Sequence, residues 1–324
     1  MNRVVTALAG AGVLLASCSG AGNAPVIGAK AGETDFSVLL AGKSILFVGA
    51  HPDDESVSLA MMAEACLHGG ASCHFVVVSD HKSYGCYLTI GLADLHECSR
   101  QRREEMLASA ALANGEVEFY GWEEYFFAHN QSGLARNLAD WGRNAGGADR
   151  LVARFRQTLD EQRPDVVIAL DPRHGTSCPP NHRAASLLLM EAIATLPADS
   201  RPEVFFENNY YIVERVSEEM AAGFMNGGIN PWPDDPAPLH WYDASKVMPD
   251  GRQAYDVIVA SLRAHATQYP DIAAGSKTPD PPASLRRVPY VKPADIDITA
   301  DLCTALALEY PTFDVAGFPP NYDD

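Results

Sequence analysis

Short, continuously apolar runs that alternate with segments of helical spacing constrain this chain more than any other feature in it. Ile45–Ala50 (ILFVGA) is followed by helical spacing over Ser56–Leu67, which stops at Gly69-Gly70. Cys73–Ser79 (CHFVVVS), with Phe75–Val78 as its apolar run, reads as a second buried strand, Gln101–Ala113 as a helix ending at Asn114-Gly115, and Val117–Tyr120 as a strand. Asp149–Gln162 then predicts a helix, Val166–Leu170 a strand, and Ala184–Leu196 a further helix. Strands that are apolar throughout, rather than at alternate positions, need cover on both faces. The series therefore predicts an α/β, Rossmann-like fold: an open, mostly parallel sheet with helices on both faces and a ligand site outside the carboxyl ends of the strands.

The flanks read differently. Residues 1–17 have the form of a signal peptide, with Asn2-Arg3 before an apolar run too short to span a bilayer. They end in Leu15-Ala16-Ser17-Cys18, which looks like a lipobox, so the expectation is an exported bacterial lipoprotein anchored through Cys18 and facing the periplasm or exterior. An ordinary signal peptide cut near Ala21 or Ala24 is the rival reading, and export follows from either. Residues 18–40 suit a flexible tether, and 41–324 a single domain. Within that domain Val204–Val213 is an aromatic, edge-strand candidate, about 224–251 a proline-rich irregular rim, Ala254–Thr267 a helix, and about 270–324 extended chain wrapping the surface.

Apart from Cys18 there are six cysteines, an even number for a disulfide-permitting compartment, and none has CxxC spacing. Local bridges Cys66–Cys73 and Cys86–Cys98 are preferred among the possible pairings. A net charge of −18 with no Lys/Arg cluster argues against nucleic acid as a partner and confines membrane association to the lipid anchor.

The chemistry concentrates where the first strand ends. In Ala50-His51-Pro52-Asp53-Asp54-Glu55, an imidazole and a carboxylate three residues apart, on a turn stiffened by proline, can face one centre above the sheet edge. A catalytic zinc takes three protein ligands and leaves one position open, and the best third ligand is His182, in the loop after the Val166–Leu170 strand. Glu55 suits the first helical turn or the orientation of an imidazole.

These residues resemble the PIG-L / LmbE-like family of N-acetylglucosaminyl deacetylases. The resemblance rests on Ala50–Glu55 as the AHPDDE signature, on His174-Gly175 through Asn181-His182-Arg183-Ala184 as a second metal motif, and on Arg102–Glu105 with His265-Ala266-Thr267-Gln268 as two weaker ones. It implies Zn²⁺ held by His51, Asp54 and His182, with Asp53 as general base in deacetylation of an N-acetylated amino sugar or glycoconjugate. The family pattern also implies a histidine where this chain has Pro179, which carries no donor, so oxyanion stabilisation is vacant, lost, or moved to His174 or His265. Arg102 is a candidate to grip substrate, against a simpler reading in which Arg100, Arg102 and Arg103 form a solvated helix face with Glu104 and Glu105. Trp122, with Tyr125, Phe126 and Phe127, is either a stacking platform for a sugar or core packing. Glu123-Glu124 stand near the family's acidic substrate position without a clean match. Two other readings stay open: a non-catalytic carbohydrate- or metal-binding lipoprotein, and a metal hydrolase of a different amide or ester.

Overall fold

Every residue of Ile45–Val48 is buried, and neighbours alternate between two separate cores. Ile45 and Phe47 point into one, with Phe75, Val77 and Ile168, while Leu46 and Val48 point into the other, with Val76, Val78 and Val167. That alternation is what a strand covered on both faces requires. The computed structural model describes residues 35–82, 85–124, 131–176, 178–208, 240–275, 287–301 and 303. The expected signal peptide, the lipobox and most of the tether lie outside them, as do Tyr125, Phe126, Phe127 and residues 224–239 of the rim.

In chain order the elements are α1 (Phe36–Leu40), β1 (Ser44–Gly49), α2 (Leu59–Leu67), β2 (Ser72–His81), α3 (Gly85–Ile90), α4 (Leu95–Ala111), β3 (Glu116–Glu123), α5 (Gln131–Ala145), α6 (Ala148–Gln162), β4 (Val166–Leu170), α7 (Pro180–Ala194), β5 (Glu203–Glu207), β6 (His240–Asp243), α8 (Ala254–Ala264), α9 (Pro270–Ala273) and β7 (Arg287–Val291). The described residues form one sheet in the order β3-β2-β1-β4-β5-β7-β6. The first five strands of that order run parallel, and β7 and β6 add antiparallel pairs. Helices α1, α2, α4 and α8 line one core, and α5, α6 and α7 the other. The predicted α/β fold is thus present, with its strand order reversing between β1 and β4. At such a reversal the loops leaving the two strands diverge to opposite faces and open a crevice at their carboxyl ends.

Several expectations are corrected. The helix read from Gln101 begins six residues earlier, because Asp94 caps it by accepting from the His96 and Glu97 amides. α2 begins at Leu59 rather than Ser56, since the preceding backbone is committed to the turn at the end of β1. β5 is interior rather than an edge, because β7 returns alongside it. The C-terminal wrap and the rim therefore each contribute a strand to the sheet. Pro289 lacks an N–H, yet its carbonyl accepts from the Asn208 amide at 3.0 Å, which lets a proline-containing segment join the sheet. The disulfides Cys66–Cys73 and Cys86–Cys98 form as preferred, and Cys178–Cys303 is a third.

Candidate metal centre

The crevice between β1 and β4 is lined by a short turn from the first strand and a longer loop from the second. In the turn, Asp54 folds back on the strand it follows: its Oδ2 accepts from the Ala50 and His51 amides at 2.6 and 2.9 Å. This fixes the carboxylate and leaves Oδ1 directed at His182 Nε2, 3.3 Å away. Gly49 belongs to the same arrangement, since a Cβ there would come within 2.9 Å of the Asp54 Cβ.

The loop after β4 is held by its own first residue. Asp171 accepts from the Arg173 amide, Nε and Nη2, and burial is outweighed by His174 and Arg173, which keep its carboxyl well below the usual range. The loop turns through Gly175 at φ +52, where a Cβ would come within 2.6 Å of the His182 Cβ, so a glycine is required on both counts. The Gly175 carbonyl accepts from His182 Nδ1 at 2.8 Å. A carbonyl can only accept, so the proton of neutral His182 sits on Nδ1 and the Nε2 lone pair faces the crevice.

That lone pair meets His51 Nδ1 at 2.8 Å, and the outer nitrogen of His51, Nε2, receives the Asn181 amide nitrogen at 2.6 Å and lies 3.7 Å from Glu124 Oε1. Burial, then His182 and Arg102, hold His51 well below its ordinary 6.5, which keeps it neutral, the form a metal ligand needs. One ligand atom from each of His51, Asp54 and His182 lies within 4.8 Å of the other two, and these three form the group with metal-ligand chemistry among the described residues. Two imidazole nitrogens and one carboxylate oxygen, with Asp54 and His182 each directed by a second hydrogen bond, are a donor set that suits zinc and leaves a coordination position for water.

Asp53 stands beside this set. Its φ of +119 is strained for a residue with a side chain, of order 1–3 kcal/mol. Its carboxylate keeps 18% of its surface exposed and lies 3.4 Å from Arg102 Nη2. Enclosure in the site raises its pKa to about 6, with Asp54 and Glu55 adding to the rise and Arg102 and His265 opposing it. Glu55 is buried and binds His265 Nε2 at 2.7 Å and the Ser109 hydroxyl at 2.5 Å. His265 holds its carboxyl below the ordinary range against the effect of burial.

The remaining expected site residues separate into two groups. Arg102 belongs to the site, buried against Asp53 and Glu124, while Arg100 and Arg103 on the same helix are 55% and 42% exposed. The solvated-face reading therefore holds for Arg100 and Glu104, which pair with each other, and fails for Arg102 and for Glu105, which accepts from Thr267. At 3% exposure, however, Arg102 is turned inward onto the protein's own groups rather than outward to a substrate. Trp122 is corrected outright: it packs against Trp141 and Phe155 in the second core, with ring centroids 5.1 and 5.9 Å away, and offers no face for a sugar. His174 is fully buried, its Nδ1 accepting from the Thr176 amide and its Nε2 3.3 Å from Asn208 Oδ1, which makes it part of the loop's scaffold. His265 is equally buried and turned to Glu55. Neither is placed as an oxyanion donor. Pro179 precedes α7 as its N-cap without a side-chain cap, and Pro180 takes the first helical position, where its missing N–H costs nothing.

The sequence alone does not mark Asn181 or Glu124 as a partner of His51. Asn181 is adjacent to a predicted ligand and could have been found there; Glu124 reaches His51 only because β3 is brought beside β2.

Residues 46–193 match the family described as "PIG-L: GlcNAc-PI de-N-acetylase". A search of curated proteins found no match. Among solved structures, the chain is similar to a 4-carboxy-2-hydroxymuconate hydratase from Pseudomonas putida (16% identity, 77% of this chain and 95% of that one, TM-score 0.46). It is also similar to an N,N'-diacetylchitobiose deacetylase from Pyrococcus horikoshii (19% identity, 71% and 72%, TM-score 0.42). A third is the A40926 pseudoaglycone deacetylase (14% identity, 77% and 97%, TM-score 0.47). The crevice, the His51–Asp54–His182 cluster and Asp53 all lie within the residues 46–193 that match the PIG-L family.

Proposed function

We propose that this protein is a zinc-dependent hydrolase that removes an acetyl group from an N-acetylated amino sugar or glycoconjugate. The observation that carries the reading is the convergence of His51, Asp54 and His182 on one point, beside a separate, partly exposed carboxylate on Asp53. The match of residues 46–193 to the PIG-L family supports the reaction class. His51, Asp54 and His182 would hold the ion. When bound, it supplies Lewis acidity, which polarises an amide carbonyl and acidifies water. Asp53, with a pKa near 6, is ionised at neutral pH, accepts the proton of the attacking water and returns it to the departing amine. Asp54 cannot share that task, because its Oδ2 is occupied by two backbone amides.

The donor set of two nitrogens and one oxygen supports zinc as the ion. We also infer export as a lipoprotein anchored at Cys18, for which three disulfides among the described residues are the supporting observation.

Pro179 favours a second reading, a carbohydrate- and metal-binding protein without turnover, since that position offers no donor for an oxyanion. A panel of N-acetylated mono- and oligosaccharides incubated with the zinc-loaded protein separates the two. Acetate release that disappears in His182→Ala supports the deacetylase. Saturable sugar binding without acetate from any substrate supports the second reading.

A further inference from the structure

The groups packed around the turn after β1 converge on one peptide unit. The peptide joining Pro52 to Asp53 is gripped at both ends: Arg102 Nη2 donates to the Pro52 carbonyl at 2.8 Å, and the Asp53 amide donates to Glu55 Oε2 at 3.1 Å. A positive charge holds the oxygen and a negative charge holds the N–H, so rotation of this peptide plane would break both charge-assisted bonds together.

Each gripping side chain is itself held. Glu55 Oε1 accepts from Ser109 Oγ at 2.5 Å, His265 Nε2 at 2.7 Å and Ser261 Oγ at 3.3 Å. Arg102 Nη1 donates to Glu124 Oε2 at 3.2 Å. The supports come from α4, from α8 and its C-cap His265, and from the end of β3, so three elements meet on one backbone turn. Glu105, also on α4, accepts from the Thr267 amide at 2.9 Å and hydroxyl at 2.7 Å, which ties down the segment that carries His265. Glu55, Arg102 and His265 are 1%, 3% and 0% exposed, so none of them can reach a substrate. Charges buried this deeply need full compensation, and apolar side chains would fill the same space with less desolvation. What the charges add is a fixed backbone orientation at a residue whose φ of +119 is not one it would choose.

We propose that Glu55, braced by His265, acts with Arg102 as a positioning clamp that locks the Pro52–Asp53 peptide and thereby aims the Asp53 carboxylate. This rests on the reading of Asp53 as the base. It gives the R-x-x-E helix and the His265-Ala266-Thr267-Gln268 segment one shared purpose: Arg102 and His265 work on the turn, and Glu105 holds the two segments together.

The test uses full-length zinc-loaded protein and the variants Glu55→Ala, Glu55→Gln, His265→Leu and the double variant Glu55→Ala/His265→Leu. Zinc content, kcat and KM for acetate release, and site-resolved amide hydrogen exchange are measured. The Ala50 and His51 amides, which Asp54 holds, serve as internal references. Glu55→Ala is expected to exchange its Asp53 amide at least about 10-fold faster while the reference amides stay within about twofold, because only one of the three loses its acceptor. Its kcat falls about 10- to 100-fold with KM within about twofold, as expected for a misplaced base rather than lost substrate binding. Glu55→Gln keeps an acceptor and recovers part of both effects. His265→Leu has a smaller effect that vanishes in the double variant, since it acts through Glu55. If Glu55→Ala does not fold, Glu55→Gln and His265→Leu carry the same comparison. Unchanged Asp53 exchange in a folded, zinc-loaded variant overturns the clamp, as does faster exchange with unchanged kcat. If the native protein releases no acetate from any substrate, exchange alone decides: faster Asp53 exchange upholds the clamp while the deacetylase reading falls.

Discussion

The two loops that form the crevice reach the same centre by opposite means. The turn after β1 places His51, Asp53 and Asp54 within four residues, and its ligand is fixed by local backbone: Asp54 bonds to the amides three and four positions before it. The loop after β4 and the first turn of α7 together cover the eleven positions from Asp171 to His182 and depend on distant chain. Cys178 is bonded to Cys303 across 125 residues, and Arg183, next to the ligand, pairs with Asp301 at 3.3 Å. One ligand set is therefore built by sequence neighbours and the other is held by the C-terminal segment. The turn should be robust to distant change, and the β4 loop should not.

The largest effect is expected in the turn. Asp53→Asn should lower kcat by about 10²- to 10⁴-fold, the usual worth of a general base, with zinc content unchanged. In the native protein kcat/KM should fall as pH drops through about 6, because protonated Asp53 cannot accept a proton, and a bound cation would move that limb lower. The pH–rate profile checks the sign, and Asp53→Asn should lack the limb. A limb that persists unchanged in Asp53→Asn would assign the base elsewhere.

The next effect tests the dependence of the β4 loop on distant chain. By loop-closure entropy, removing Cys178–Cys303 should cost about 5 kcal/mol and removing Cys66–Cys73 about 2 kcal/mol, since the bridges close loops with separations of 125 and 7 residues. Denaturant unfolding of Cys178→Ser/Cys303→Ser and Cys66→Ser/Cys73→Ser measures the difference, and zinc titration should show weaker binding in the first variant alone. Equal costs and equal zinc affinities would remove the contrast between the two loops.

The smallest effect belongs to Trp122, which packs in the core shared by α5 and α6. Trp122→Phe should leave KM for acetate release within about twofold while lowering stability by about 1–3 kcal/mol through lost packing. A KM rise of tenfold with unchanged stability would restore the stacking platform.

The same contrast explains how much could be read in the sequence. The parallel sheet was legible because β1, β2 and β4 each contain an unbroken apolar run, Ile45–Val48, Phe75–Val78 and Val166–Leu170, and the turn after β1 because all its chemistry is contiguous. β7 was not, because Pro289 argues against a strand until the Asn208 amide is seen to use its carbonyl. His182 could be found as a ligand, but its supports at Asp301 and Cys303 have no local signature. Arg102 and Arg103 are adjacent and chemically identical, and only the direction of α4 decides that one is buried in the site and the other lies at the surface. Likewise, a buried His265 bonded to Glu55 and an exposed catalytic histidine look the same in a one-dimensional pattern.

The central claim is that His51, Asp54 and His182 form one metal site. Protein expressed and purified without chelator, quantified by elemental analysis beside His51→Ala, Asp54→Ala and His182→Ala, tests it most directly. The account predicts about one zinc per folded native chain and loss of that zinc in each variant, with circular dichroism unchanged. Native protein that binds no zinc, or three folded variants that keep it, would contradict the account.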